Sequence, residues 1–490
     1  MTPQRWRAGH LPGLSASEVQ WQVLPFQAHG RRLEVEVPLL TDAQMQAMAT
    51  RVRAAARESL QAMPVDAIID VISRAVARLL DANDPLRREL DDLLPIVTGD
   101  DPELVRLGLT SYLHTFRTPQ LQRFVAQDFA NPKVLDGFQP AVKGGAIRAF
   151  GPSLLAHVWA GNVPGLPLWS LVCGLLVKAG TIGKLPSAEP VFASVFARLL
   201  AEVHPPIADC LAIVWWKGGA QGPASALYRE AETVLAYGGN AALREVRDQV
   251  PVTTRFLGFG HKLGVALVGR AALDMQRGPA TARLAAQDMV RFEQQGCYSP
   301  HVVYVERGGA VSPRQFAQHL AAELANLARR HPRRVLALDE AAAVGAWRHG
   351  AEWRTLQGQG AELLGDETSP WAVAFSDAAQ PVGPSAGFRT IVVSAVDMLD
   401  DVVRQVEPQG AFLQTAAVAT TPEELYRLAD LLGRAGITRI APIGSITQPE
   451  AGWHHDGRFN LADLVRIVEI EQSAESAADR LAPYAQENRP

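Results

Sequence analysis

Cysteine is scarce in this chain: three residues in 490, with no CxxC spacing. An odd, scattered set of thiols builds neither a disulfide framework nor a zinc-binding pair, and it suits a reducing compartment. Charge of either sign is also not in excess. The 47 basic and 51 acidic residues leave a net charge of -4, which offers no electrostatic attraction to nucleic acid or to an anionic membrane. The longest apolar run, Leu166–Val177, is about a dozen residues, and a membrane-spanning helix needs roughly 20. The start, Met1-Thr2-Pro3-Gln4-Arg5-Trp6, has no secretory apolar stretch. A GxGxxG fingerprint, internal repeats and low-complexity tracts are missing too. These absences point to a soluble, cytoplasmic protein with no metal site, no nucleic-acid partner and no membrane span.

Apolar residues make up 48% and charged residues 20%, an ordinary globular composition, and the length implies two or three domains. The first third reads as helices. Thr41 and Gln44 form a capping-box pattern ahead of a stretch reaching Met63, and Ile68, Ile69, Ile72, Val76 and Leu79 share one face of a second helix, Val65–Leu80. No residue in that third suggests chemistry. After Pro132 strand-like runs (Leu154–Trp159, Ile213–Trp216, Thr233–Tyr237, Gly264–Val268) alternate with helical ones, as in βαβ units on a mostly parallel sheet. A further αβ series begins at Ala271. Within it, Ser312-Pro313-Arg314-Gln315 opens a helix, residues 347–387 read as loops and edge elements, and Thr421-Pro422-Glu423-Glu424 opens a late helix before the strand Thr438–Ile443.

Cys297, in Gln294-Gln295-Gly296-Cys297-Tyr298-Ser299-Pro300, is the one cysteine with polar and glycine neighbours, and it stands at the entrance of the strand-like His301–Val305. A reactive thiol has to be reachable, whereas Cys173 and Cys210 sit in apolar surroundings that suit core packing. Asn162, in Ala160-Gly161-Asn162-Val163-Pro164, follows a strand at the sheet end where α/β folds place ligands. Its amide either donates to an oxyanion or simply tolerates an awkward turn. Lys184 ends a short strand on the same side, within reach of a cofactor phosphate or ribose, or else as a solvated strand end. Gly238-Gly239 lies between a strand and a helix, where free amides offer a positive end to phosphate. His261, in Phe259-Gly260-His261-Lys262, either shuttles protons or stands by. The loop Trp453-His454-His455-Asp456-Gly457-Arg458 is open between substrate and cofactor contact, its adjacent histidines being poorly spaced for a metal. The basic run Arg329–Arg334 either attracts phosphates or complements a helix C-terminus.

The order of these features resembles the aldehyde dehydrogenase superfamily and, within it, the LuxC-type acyl-CoA reductases, over roughly Phe150 to Glu471. The resemblance implies an α/β fold: a helical N-terminal region (1–130), a Rossmann-type dinucleotide-binding domain (131–270, with 437–490 returning to it) and a catalytic domain (271–436). It implies Cys297 as nucleophile, Asn162 as oxyanion donor beside the Cys297 amide, and Lys184, Ser187, Gly238 and Gly239 as cofactor-binding residues. The expected substrate is an acyl-CoA or acyl-carrier thioester, reduced to aldehyde through an acyl-cysteine. An acyl-protein synthetase subunit is an expected partner and a homo-oligomer the expected assembly. Two departures refine this reading. Aldehyde-oxidising relatives carry a glutamate base where this chain has Phe259-Gly260-His261-Lys262, so hydrolysis of the acyl-enzyme should be slow. Where NAD-preferring relatives put a ribose-binding glutamate, the ungapped match places Ser187, so NADPH is expected over NADH, with Glu189 the nearest carboxylate. The alternatives are an oxidative aldehyde dehydrogenase and a non-catalytic acyl-binding subunit.

Overall fold

The computed structural model describes residues 3–219, 222–358 and 360–482. Its first surprise is at the start. Strands β1 (Gln4–Arg7), β2 (Gln20–Ala28) and β3 (Arg31–Leu39) form a sheet in the order β1-β3-β2, so the helical N-terminal region begins only at Asp42. The period-two signal was present: Leu33, Val35 and Val37 are buried while Arg32, Glu34 and Glu36 alternate with them. Helices follow at Asp42–Glu58, capped by Thr41 and Gln44 as expected, then at Val65–Leu80, Pro85–Thr98, Pro102–Leu113 and Thr118–Asp128.

After the short β4 (Gln139–Pro140) and β5 (Ala146–Phe150) comes a five-stranded, wholly parallel sheet. Its strands are β6 (Leu154–Val158), β7 (Gly180–Lys184), β8 (Leu211–Val214), β9 (Thr233–Tyr237) and β10 (Arg255–Phe259), in the order β10-β9-β6-β7-β8. These strands are short continuous apolar runs, as a sheet covered on both faces demands. The chain moves outward from β6 to β8 and then returns to place β9 on the other side of β6. That reversal opens a crevice beyond the carboxyl ends of β6 and β9.

A second sheet takes β11 (Leu263–Val268), β12 (Pro300–Glu306), β13 (Ala361–Leu364), β14 (Ala372–Ser376), β15 (Thr390–Val396), β16 (Leu413–Ala419) and β17 (Arg439–Pro442), in the order β13-β14-β15-β12-β11-β16-β17. Only β13 runs antiparallel to its neighbour. Finally β18 (Arg466–Ile470) pairs with β5. Because β11 is bonded between β12 and β16, and β17 to β16, we place the domain division between Phe259 and Leu263 instead of after residue 270, with β18 and the loop before it, whose Leu461, Leu464 and Val465 join the first unit's core, leaving the second unit. Residues 483–490 of the expected returning segment lie outside the described residues. The stretch read as loops contains the helix Leu338–Leu356 and the strands β13 and β14. Among the described residues, no helix is long and apolar enough to cross a membrane.

Candidate active site

The residues expected to bind a cofactor close or follow β7 and β9 of the first sheet. Lys184 closes β7 half-buried, and burial lowers its ammonium below lysine's usual value, opposed by the charge of Glu245. Beyond it Ser187 is exposed, its hydroxyl accepting from Trp215 Nε1 at 3.2 Å. Glu189, two residues on, points elsewhere. Its Oε1 accepts from the backbone amides of Val191 and Phe192 at 2.8 Å each, and burial raises the carboxyl to about 7. Gly238 and Gly239 end β9 and begin the helix Asn240–Gln249, which has no side-chain cap. A Cβ on Gly239 would meet nothing within 4 Å. Open backbone at an uncapped helix start is a suitable cradle for a diphosphate, so these residues fit a dinucleotide.

Cys297 sits where an unusual backbone turn meets β12. Phe292, Glu293 and Gln294 all adopt left-handed φ, at 52°, 48° and 63°. Each such non-glycine residue costs about 1–2 kcal/mol, so surrounding contacts must hold them. Arg389, fully buried and itself left-handed, forks onto both carboxylate oxygens of buried Glu293, one contact being 2.9 Å. Gln294 Nε2 donates to Pro300 O at 2.6 Å and Thr390 O at 3.0 Å. The turn is thereby tied to β12 and β15. At Gly296 a side chain would strike the Tyr298 ring at 2.4 Å, so only glycine lets the loop close this tightly. Asn162 comes to the same loop, its Nδ2 donating to Gln295 O at 2.8 Å. The structure thus brings Asn162 to the loop that carries Cys297, 135 residues further along the chain.

The cysteine opens onto a cavity of about 300 Å³, within the span of small-molecule pockets. Its walls are largely apolar and are drawn from distant parts of the chain, among them the Gln287–Phe292 segment just before the cysteine. Leu104, Leu107, Gly108, Ser111 and Tyr112 lie on the helix Pro102–Leu113, read from sequence as devoid of chemistry. Val163, Trp169 and Tyr237 come from the first sheet's side, and Trp453 and His455 from the late loop. His455 is stacked 4.5 Å from Phe259, which in turn lies 5.0 Å from Tyr237. Burial in this aromatic pile lowers its imidazole to about 4. Phe259 therefore occupies the strand-entry turn with a packed ring.

Dry surroundings also govern the sulfur. Burial pushes the Cys297 thiol up to about 11, with Asp456 reinforcing the rise, while a hydrogen bond from Gln414 and the charge of Arg439 oppose it. Gln414 Nε2 lies 3.4 Å from Cys297 Sγ and 2.6 Å from Asp456 Oδ1. Neither Gln414 nor the contact of Asp456 with the sulfur's neighbour was expected. The signal for Gln414 was a polar residue interrupting the apolar run of β16 (Leu413–Ala419).

Other candidates lie apart, except that His331 of the basic run lines the cavity. His261 is exposed, its ring 6.3 Å from buried His301, and neither lines the cysteine cavity. Cys173 and Cys210 are buried, burial raising both thiols. In the basic run Arg334 is held by Glu340 and stacks on Phe388, and Arg333 donates to Phe388 O. Among the described residues no group of three or more His, Cys, Asp or Glu is arranged to hold a metal ion.

The family model described as acyl-CoA reductase (LuxC) matches residues 60–467. A long-chain acyl-protein thioester reductase of Photorhabdus luminescens is 25% identical over 373 residues, 75% of this chain and 74% of the relative. One from Aliivibrio fischeri is 26% identical over 357 residues, 72% of this chain and 71% of the relative. Among solved structures, methylmalonate-semialdehyde dehydrogenase from Oceanimonas doudoroffii superposes with a TM-score of 0.71 at 13% identity, covering 96% of this chain and 98% of that one. A mutant aldehyde dehydrogenase C from Pseudomonas syringae, solved with NAD+ and octanal, gives 0.70 at 14% identity, covering 95% and 96%. At these identities the structural likeness is one of fold, an aldehyde-dehydrogenase-like α/β arrangement.

Proposed function

This chain belongs to the LuxC acyl-CoA reductase family, and from that premise we propose that it reduces a long-chain acyl thioester to the aldehyde, with Cys297 carrying the acyl group between two half-reactions. The observation that carries the reading is the shared cavity. Cys297 faces an apolar space whose wall includes Tyr237, the residue before Gly238-Gly239, and Val163, the residue after Asn162. Acyl chain, sulfur and hydride donor would meet there.

In the first half-reaction Sγ attacks the thioester carbonyl and the donor thiol leaves. One C–S bond replaces another, so the exchange is nearly balanced and the protein's contribution is positioning. Asn162 and the Cys297 amide hold the oxygen as it gains charge. Lys184, Ser187 and the Gly238-Gly239 turn would hold the dinucleotide, which supplies hydride when bound. NADPH is favoured because the Glu189 carboxylate is committed to the Val191 and Phe192 amides, leaving exposed Ser187 where a 2′-phosphate would otherwise be repelled. Phe259 puts no water-activating carboxylate in the strand-entry turn, which favours waiting for hydride over hydrolysis. The donor is a thioester of CoA or of a carrier protein; the relatives' names speak of an acyl-protein thioester.

Mass spectrometry of the intact protein after incubation with acyl-CoA, with and without NADPH, tests this. A mass increment on Cys297 that NADPH discharges as aldehyde is expected, and Cys297→Ala should take up none. Aldehyde formation persisting in Cys297→Ala, or carboxylate as the product from aldehyde and NADP+ without CoA, would overturn it.

A further inference from the structure

Gln414 is fully buried, and its amide nitrogen reaches the sulfur. Its amide nitrogen carries two hydrogens. One is directed to Asp456 Oδ1 at 2.6 Å and the other to Cys297 Sγ at 3.4 Å, while Oε1 accepts from Thr415 Oγ1 at 3.3 Å. An isolated amide can face either way, but a carboxylate 2.6 Å distant accepts only the N–H end. Asp456 therefore fixes which end of Gln414 the sulfur meets. The late loop is shaped for this, since Asp456 itself holds a left-handed φ of 54°. By contrast, the Asn162 amide gives its hydrogen bond to Gln295 O in this structure, not to the sulfur.

We propose that Gln414 is a catalytic oxyanion donor and Asp456 the positioning residue that aims it. The inference rests on Cys297 being the nucleophile. When Sγ attacks, its lone pair becomes the new C–S bond and the carbonyl π pair moves onto oxygen. That oxygen then lies one bond beyond the carbon joined to Sγ, within reach of a donor that was already hydrogen-bonded to the sulfur. The N–H shifts from sulfur to oxygen as the charge does. Collapse returns the pair to the carbonyl and breaks the donor's C–S bond, and the departing thiolate takes up the proton that Cys297 released. Donors fixed in advance at a dry site stabilise such charge most, because no reorganisation is needed at the moment of reaction.

Two reactions at one sulfur separate this role from simple support of the thiolate. Alkylation by iodoacetamide develops no oxyanion, whereas acyl transfer from a long-chain acyl-CoA does. In Gln414→Leu, alkylation of Cys297 should slow by less than about tenfold, while acyl transfer should slow by about 10²–10³. Asp456→Ala, which frees the amide to turn, should lower the ratio of acylation to alkylation in the same direction, and it keeps the test available if Gln414→Leu does not fold. Equal slowing of both reactions, or no slowing, would overturn the assignment. If the wild-type protein takes up no acyl group on Cys297, it is the nucleophile reading that has failed and this inference falls with it. Acylation of the wild type with an unchanged ratio in the variants overturns Gln414 alone.

Discussion

Replacing Asp456 by Asn should make Cys297 more reactive toward iodoacetamide, although it removes a polar group from the site. The carboxylate and the sulfur contact the same Gln414 nitrogen, and the two contacts end to end hold them within about 6 Å of each other. At that distance a full negative charge opposes thiolate formation by about 1.5–3 kcal/mol for an effective dielectric of roughly 20–40, equivalent to about one to two pH units. The thiol, near 11 in the native protein, should fall toward about 9–10, increasing the thiolate population at pH 8 by about 10–100-fold. A less basic thiolate is also a weaker nucleophile, with a Brønsted slope near 0.4–0.5. The expected net gain is therefore about three- to tenfold in second-order rate. Asn keeps the size of the side chain and an oxygen that can accept from Gln414, so the packing is preserved while the charge is removed. Stopped alkylation time courses read by intact mass, from pH 7 to 10, would show both the gain and an earlier plateau. A slower variant would mean that Asp456 withdraws the thiol proton, and an unchanged rate would mean that its charge is not felt at the sulfur; either refutes the electrostatic argument.

Arg389→Met should destabilise the protein by about 3–5 kcal/mol, because it leaves buried Glu293 without its partner, and the double variant with Glu293→Gln should recover most of that in urea denaturation. Ser111→Trp should narrow the cavity and penalise long chains: each excluded methylene forfeits about 0.8 kcal/mol, so kcat/KM should fall roughly fourfold per methylene beyond a threshold length while shorter thioesters react normally. His157, fully buried with neither ring nitrogen hydrogen-bonded, is held neutral down to about pH 3 by burial, whereas in an unfolded chain it takes up a proton below about 6.5. Acid thus favours unfolding through this residue, and His157→Leu should gain about 2 kcal/mol on the wild type between pH 7 and pH 5 in denaturation midpoints. A constant difference across that range would exclude a neutral buried ring.

Much of this arrangement could be read from local pattern. The apolar runs of β6 and β9 announce buried parallel strands, and Gly296-Cys297 stands out from cysteines in apolar surroundings because glycine and polar neighbours mark a loop. What could not be read is what depends on contact between distant segments. Gln414 reaches Cys297 across 117 residues, and no spacing rule links a strand residue to a loop that far back. Asp456 was singled out only as part of a polar loop, since its role depends on a left-handed backbone that aims it inward. The sheet β1-β3-β2 is masked by the strong helical periodicity after Thr41, although Arg31–Leu39 alternates clearly. The helix Pro102–Leu113 carries no reactive side chain, so nothing in its composition reveals that it walls the cavity.

That helix has a further consequence. On the proposed reading, this wall, which would gauge a chain's length, and the sulfur that would carry the chain are encoded nearly two hundred residues apart. Drift in the one can retune which lipids are accepted without disturbing the other, so members with identical chemistry need not share a diet.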